Sequence, residues 1–355
     1  MTSLRVLWVN HRDPRHKRAG GAEDYLWQIL KRLPSPGFSH TLLCEASEGL
    51  PAEELVGNIR IVRRGGSWTL HLRAPLWREP FDVCVESVAH AVPFFTGMRA
   101  GTPCIILLYH VHQDVVATEL PPLQAKFVRF MERTVRFRRA RFIAISDYTR
   151  SRTIDRLGVK GSVEVIPPGV DTSDFTPTLK AEPPFFIYLG GLKSYKRVDH
   201  IIEAYKMARG NSRLIIAGDG YLAGKLKESA KGIGDIEFLG RVSEESKRVL
   251  LGQAAANVIA SSIEGYSLTA LEAAAAGTPT IAYSVGPLAE VIVDGVTGRL
   301  VSNGCIEDLS EAMKDALSHP EWGQLARKRV ELQTWDLAAS HFARVIRDSV
   351  DSWKE

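Results

Sequence analysis

The stretch PFFIYLGGLKSYKRVDHIIEAY, residues 184–205, decides the fold. Its apolar run is short, ends at Gly190-Gly191 and is bounded by Pro184. Such a run predicts a strand buried on both faces of a sheet. A basic loop follows, then a helical segment over 197–209. Strand, tight turn and helix in that order are one half of a parallel crossover.

The same plan recurs along the 355 residues. LRVLWV (4–9), FDVCVE (81–86), PCIILLY (103–109) and RFIAIS (141–146) read as strands in the first half. SRLIIAG (212–218), NVIAS (257–261) and PTIAYS (279–284) join 184–190 in the second. Helical segments at 21–33, 242–255 and 267–276 lie between them. The alternation predicts an α/β, doubly wound architecture with parallel sheets. VIPPGVDTSDFTPTLKAEPPFF (165–186) holds five prolines and cannot continue a sheet or a helix, so it predicts the linker between two domains. The expected bounds are 1–175 and 176–337, with a last helix over 338–355 that needs a surface to cover.

Composition is that of a globular chain, 45% hydrophobic and 24% charged, with a formal net charge of +4. That charge compels neither nucleic acid nor lipid as a partner. The four cysteines form no CxxC pair, and three sit in strand-like runs, which suits free buried thiols in a reducing cytoplasm. No apolar stretch has the length of a membrane span, and the first residues read as a strand rather than a signal peptide.

Three glycine turns are candidate ligand sites. In VNHRDPRHKRAGGAEDYLWQIL (9–30) a strand runs through a basic loop into Gly20-Gly21 and a helix. Amides at a helix start suit a phosphate, and a tight turn with a solvated loop suits the pattern equally. Lys193, Lys196 and Arg197 follow the strand of 184–190, where open sheets bind ligands, and can neutralise a diphosphate or simply face solvent. In SSIEGYSLTALEAAAAGTP (261–279) Glu264 precedes Gly265 and Tyr266, while Glu272 lies inside the helix. The amides of Ser267, Leu268 and Thr269 are free to hold phosphate or hydroxyl oxygens, and two carboxylates can hold sugar hydroxyls. Dipole compensation and a solvated loop acid remain the plainer readings of the two glutamates.

Taken in order, these segments resemble glycosyltransferase family 4, the retaining GT-B enzymes that use nucleotide-sugar donors. GGAEDYLWQILKRL, VIPPGVDTSDFTP, LGGLKSYKRVDHIIEAY, LIIAGDG, IEFLGRVSEE and EGYSLTALEAAAAGTPTIAYSVGPLAEVIVDGVTGRLV carry the likeness across nearly the whole chain. The resemblance implies two Rossmann-like domains facing a central cleft, an acceptor domain first and a donor domain second, with the C-terminal helix crossing back to the first. Glu264 and Glu272 match the family's E-x7-E pair, which contacts the donor hexose and the ribose. Lys196 matches the lysine on the leaving diphosphate. Gly20 and Gly21 match the loop that closes on it, and 265–269 matches the stretch lining hexose and phosphate. His110, in LLYHVHQDVV (107–116), is placed like the family's histidine near the reacting centre. Many members carry Arg where this chain has Gly191, so either Lys193 or Arg197 substitutes for it or the site is weaker than the family's.

The activity implied is transfer of a hexosyl group, mannose or glucose, from a nucleotide diphosphate sugar to a hydroxyl of a glycan or a polyprenyl- or lipid-linked acceptor. No metal or other cofactor is expected, although H-x-H-x-D at 110–114 also has metal-ligand spacing. KFVRFMERTVRFRRARF (126–142) holds seven Lys or Arg against one Glu, interleaved with phenylalanines. It suits either an ordinary amphipathic helix or an anionic membrane surface, which would make the protein cytoplasmic and peripheral on the inner face of the membrane. No nucleic-acid motif accompanies the charge. A nucleotide-sugar 2-epimerase and a non-catalytic sugar-nucleotide binding protein are the alternatives.

Overall fold

The computed structural model describes residues 3–34, 37–96, 98, 101–113, 116, 120–208, 210–233 and 235–354. The chain divides into two compact units, Met1–Pro168 with Trp335–Glu355, and Gly169–Thr334. The division falls inside the proline-rich stretch. No regular element lies between Val165 and Phe185. Arg327 donates to the carbonyls of Thr172 and Phe175, which ties that part of the stretch to the second unit.

The first unit is built on an eight-stranded sheet. Its strands are β1 (Leu4–Val9), β2 (Phe38–Cys44), β3 (Glu53–Val56), β4 (Ile59–Arg63), β5 (Val83–Val88), β6 (Cys104–Leu108), β7 (Arg141–Ala144) and β8 (Val163–Val165). They lie in the order β3-β4-β2-β1-β5-β6-β7-β8, with β3 antiparallel to β4 and every other pairing parallel. Its helices include α1 (Gly21–Leu30), α2 (Ser67–Arg73), α3 (Pro122–Arg133) and α4 (Asp147–Arg152). The sheet is buried because its central strands are apolar at almost every position: β5 and β6 are buried along their full lengths.

The second unit carries β9 (Phe185–Leu189), β10 (Arg213–Ala217), β11 (Ile236–Gly240), β12 (Ala256–Ile259), β13 (Thr280–Tyr283) and β14 (Gly298–Val301). Their order is β11-β10-β9-β12-β13-β14, and all pairings are parallel. Its helices are α5 (Val198–Ala208), α6 (Ala223–Ser229), α7 (Glu244–Gln253), α8 (Leu268–Ala275), α9 (Leu288–Val291), α10 (Ile306–Ser318) and α11 (Glu321–Val330). Counted within the unit the strand order is 3-2-1-4-5-6, the Rossmann order. Connections reverse direction between β9 and β12, which opens a crevice outside their carboxyl ends. The first unit reverses in the same way between β1 and β5.

The last helix, α12 (Trp335–Lys354), belongs to the first unit. Trp335 meets Tyr25 of α1 edge to face at 5.7 Å, and Phe342 packs on Trp8 of β1 at 5.4 Å. The surface this helix needs is therefore α1 and the sheet beneath it. Cys44, Cys84, Cys104 and Cys305 are all free thiols, and the first three are buried.

Candidate functional site

The reversal point of the second sheet gathers most of the residues singled out from sequence. Leaving β9, the chain turns at Gly190 and forms a 3-10 turn over Ser194–Lys196. Leaving β12, it runs through Ser261–Ser267 before α8 begins. The Ser262 amide donates to the Tyr195 carbonyl at 2.7 Å, which ties the two loops together. Across that tie Lys196 Nζ lies 2.6 Å from Glu264 Oε1, and Ser261 Oγ donates to the same oxygen. Burial opposes the lysine's charge, but the Glu264 carboxylate outweighs it and holds the ammonium above the ordinary lysine range. A charged, partly buried cation thus stands where the sheet opens.

Glycine positions this pair. Gly286, at φ +56°, lies beneath Glu264, where a Cβ would stand 2.7 Å from the Glu264 carbonyl oxygen. Ser267 adopts φ 77° at the start of α8, a left-handed conformation rare for a residue with a Cβ. Its carbonyl accepts from Ala270 and Leu271. The amides of Leu268 and Thr269 are in the first turn of α8 and have no intrahelical acceptor. Tyr266 is buried and its hydroxyl accepts from Gln333 Nε2 at 2.7 Å, which fixes the loop around Gly265.

Glu272 sits one turn further along α8, and Lys247 of α7 meets its Oε1 at 2.6 Å. Burial again opposes the lysine's charge, while Glu272 and Glu244 hold it above the ordinary range. Lys247 was not singled out from sequence. Its only signal there is a lysine in a helix two elements away, and that signal has no meaning until α7 and α8 pack.

Lys193 and Arg197 part company. The Lys193 side chain lies across Gly191, its Cε 3.5 Å from where a Cβ at that position would stand. Lys193 Nζ and Lys196 Nζ lie 6.0 and 5.3 Å from the centre of the Tyr195 ring. Arg197, at φ 44°, instead donates to Asn303 Oδ1 at 3.0 Å, beyond the end of β14.

Gly20, Gly21 and His110 belong to the first unit, at the ends of β1 and β6. Gly20 caps α1, and its amide donates to Glu23 Oε2 at 2.8 Å, so that amide is already taken. His110 packs against His112 at 3.8 Å between ring centres. His112 is held through its amide and Nδ1 by Glu132 Oε1 of α3, at 2.7 and 3.0 Å. Of the metal-spaced trio, Asp114 lies outside the described residues. Glu132, fully buried, is the missed residue here: its position in a basic run hides its role in fixing the histidine loop.

The basic segment is less uniform than its sequence. It is α3 to Arg133, a 3-10 turn over Thr134–Phe137, then β7 from Arg141. Ala125, Val128 and Glu132 face inward, whereas Leu123, Phe127, Phe130 and Phe137 are 82, 52, 67 and 74% exposed. Phe142 belongs to the core strand, and Arg138 is buried on Glu86 at 2.9 Å. No helix of the described residues is long and apolar enough to cross a membrane.

Known proteins resemble this chain in sequence and in fold. Residues 170–331 match the family described as "Glycosyl transferases group 1", and residues 19–174 match "Glycosyltransferase Family 4". A "GDP-mannose-dependent alpha-(1-6)-phosphatidylinositol monomannoside mannosyltransferase" of Mycobacterium tuberculosis is 29% identical, over 97% of this chain and 98% of its own. The corresponding dimannoside enzyme of that organism is also 29% identical, and the chain spans 65% of its length. Among solved structures, sucrose-phosphate synthase from Thermosynechococcus elongatus superposes with a TM-score of 0.83 at 19% identity, covering 98% of this chain and 100% of that one. WaaG, a glycosyltransferase of lipopolysaccharide biosynthesis, gives 0.78 at 18% identity, covering 96% and 99%.

Proposed function

We propose a donor, an acceptor and a working surface for this chain on one premise: it belongs to glycosyltransferase family 4, a retaining GT-B glycosyltransferase that moves a hexosyl group from a nucleotide sugar. The donor is GDP-mannose, and the acceptor is a hydroxyl of a lipid-linked glycan. The observation that carries the donor site is the Lys196–Glu264 contact at the reversal point of the second sheet. There the diphosphate lies against Lys196 and the free amides of α8, the hexose hydroxyls against Glu264, and the ribose hydroxyls against Glu272. Lys193, which lies over Gly191, completes the cation set, and Arg197 stays with Asn303. GDP and mannose are the donor parts named for the mycobacterial relative that matches along nearly its full length.

Negative charge grows on the leaving phosphate as the anomeric carbon becomes oxocarbenium-like, so fixed cations and amides stabilise the transition state more than the ground state. The second unit supplies them from Lys196, Lys193 and the start of α8, and this reading needs no metal. The test is a donor panel with a coupled nucleotide-release assay and a bacterial lipid extract as acceptor. GDP release with GDP-mannose, unchanged by EDTA, is expected. Release only from a UDP-hexose, or loss of activity in EDTA, overturns the reading.

The working surface is α3 and the turn after it. Leu123, Phe127, Phe130 and Phe137 are exposed beside Lys126, Arg133, Arg136 and Arg139, which are also exposed. Apolar side chains with cations around them suit the headgroup region of an anionic leaflet on the cytoplasmic side of the membrane. Phe127→Ser with Phe130→Ser is expected to abolish co-sedimentation with anionic vesicles and leave donor hydrolysis in solution intact. Unchanged sedimentation removes the membrane from the proposal.

A further inference from the structure

A cavity of about 330 Å³ opens in the first unit between the end of β4 and the segment that follows α2. Leu43, Arg64, Arg73, Leu76, Trp77, Arg78 and Glu79 line it. Three guanidinium groups against one carboxylate leave the lining at a formal charge of +2 (3 − 1). The carboxylates nearby are already engaged. Glu79 receives both its bonds from Arg60, at its two oxygens, and Glu53 receives Arg60 and Arg64. Among the described residues Arg73 and Arg78 have no ion pair or hydrogen bond through their side chains. Arg64 also lies over the Trp77 ring at 5.8 Å, so one wall is aromatic, and the buried Leu43 and the exposed Leu76 add apolar lining.

Like charges gathered around one concavity repel each other, and an anion inside it relieves that repulsion. Planar guanidinium forks match the oxygens of a phosphate two at a time, better than they match a single carboxylate when three converge. The volume is that of a small-ligand pocket rather than of a bare ion. We propose that this cavity binds a phosphate group carried on a small substituent, with Arg73 and Arg78 on the phosphate and the substituent against Trp77 and Leu76. Its lining comes from the first unit alone, and it does not rest on the choice of donor or acceptor. Two sources share this chemistry: a soluble phosphate monoester and the headgroup of an anionic phospholipid. Trp68 and Leu72, 72 and 71% exposed on the α2 face before Arg73, give the second source somewhere to anchor.

Two measurements on the full chain distinguish the sources. The first is calorimetric titration with inorganic phosphate and with sn-glycerol 3-phosphate. The second is co-sedimentation with phosphatidylcholine vesicles, with and without roughly one third phosphatidylglycerol. Both are repeated with the variant Arg73→Gln/Arg78→Gln, whose two changes are at exposed positions and whose thermal melt checks its fold. Glycerol 3-phosphate binding that weakens about a hundredfold in the variant, about tenfold per guanidinium, supports the site and assigns it a soluble ligand. Sedimentation that needs phosphatidylglycerol and falls in the variant supports it and assigns a lipid headgroup. The proposal is overturned if neither probe binds the wild type, or if the double substitution leaves every binding event unchanged.

Discussion

Lys196 is the side chain on which the proposed donor site turns. Its ammonium is held charged by Glu264 at 2.6 Å, so it is ready before any donor arrives. Lys196→Ala is expected to lower kcat about a hundredfold, since removing one preorganised donor to a developing anion costs that order. The donor KM should change far less, and steady-state kinetics separate the two. Equal kcat in the variant removes the lysine from the chemistry. Lys247 makes a different prediction. It only orients Glu272, so Lys247→Met should raise the donor KM about tenfold, roughly 1.4 kcal/mol, with kcat close to wild type. The two glutamates and Lys196 were singled out in sequence by their glycine turns and by their resemblance to the family's E-x7-E pair and lysine. Their partners were not: that Lys196 and Glu264 share an ion pair, and that Lys247 reaches Glu272, depends on segments 68 and 25 residues apart meeting in space.

The elements show the same division between local and tertiary signals. Strands whose buried faces are filled with apolar residues were legible as runs. β2, β4 and β11 were not, because FSHTLLC and IRIVR interrupt the run with polar residues and IEFLG alternates. Those polar residues find partners only in the fold: His40 Nδ1 accepts from the Trp8 indole at 3.1 Å, and Arg63 is buried on Asp13 at 2.7 Å. The turns that follow strands carry their own constraint. At Gly218, with φ +148°, a Cβ would stand 1.8 Å from the Gly190 carbonyl oxygen, so the turn after β10 packs directly on the turn that leads to Lys196. Gly218→Ala is expected to destabilise the second unit by about 3 kcal/mol or more and to displace residues 190–196. Gly224→Ala is the control. It lies within α6 with nothing within 4 Å of a new Cβ, and should be neutral or stabilising by up to about 1 kcal/mol. Denaturation midpoints of the two variants, measured with donor binding, decide whether backbone approach rather than glycine content positions the site.

At the scale of the whole chain, the two units have separate cores and are expected to respond differently to acid. The histidines buried in the first unit set its response. Burial depresses His40 to about 4, and burial with neighbouring His90, His71 and Arg12 depresses His11 to about 2, against an ordinary value of 6.5. Between pH 6.5 and those values the unfolded chain binds protons that the folded chain refuses, so stability is fully present above 6.5 and is lost as pH falls. Each histidine then costs about 1.4 kcal/mol per pH unit, or about 2 kcal/mol by pH 5. Hydrogen exchange should therefore show the amides of β1 and β2 losing protection between pH 7 and pH 5, with some 4 kcal/mol of the loss coming from His11 and His40. The amides of β9 and β12 should hold, since no buried histidine sits in those strands. His40→Asn keeps an acceptor for the Trp8 indole without the titrating ring, and should remove about 1.4 kcal/mol per pH unit from the slope. If the variant keeps the wild-type slope, the acid sensitivity of the first unit has another source and the burial of His40 is not what sets it.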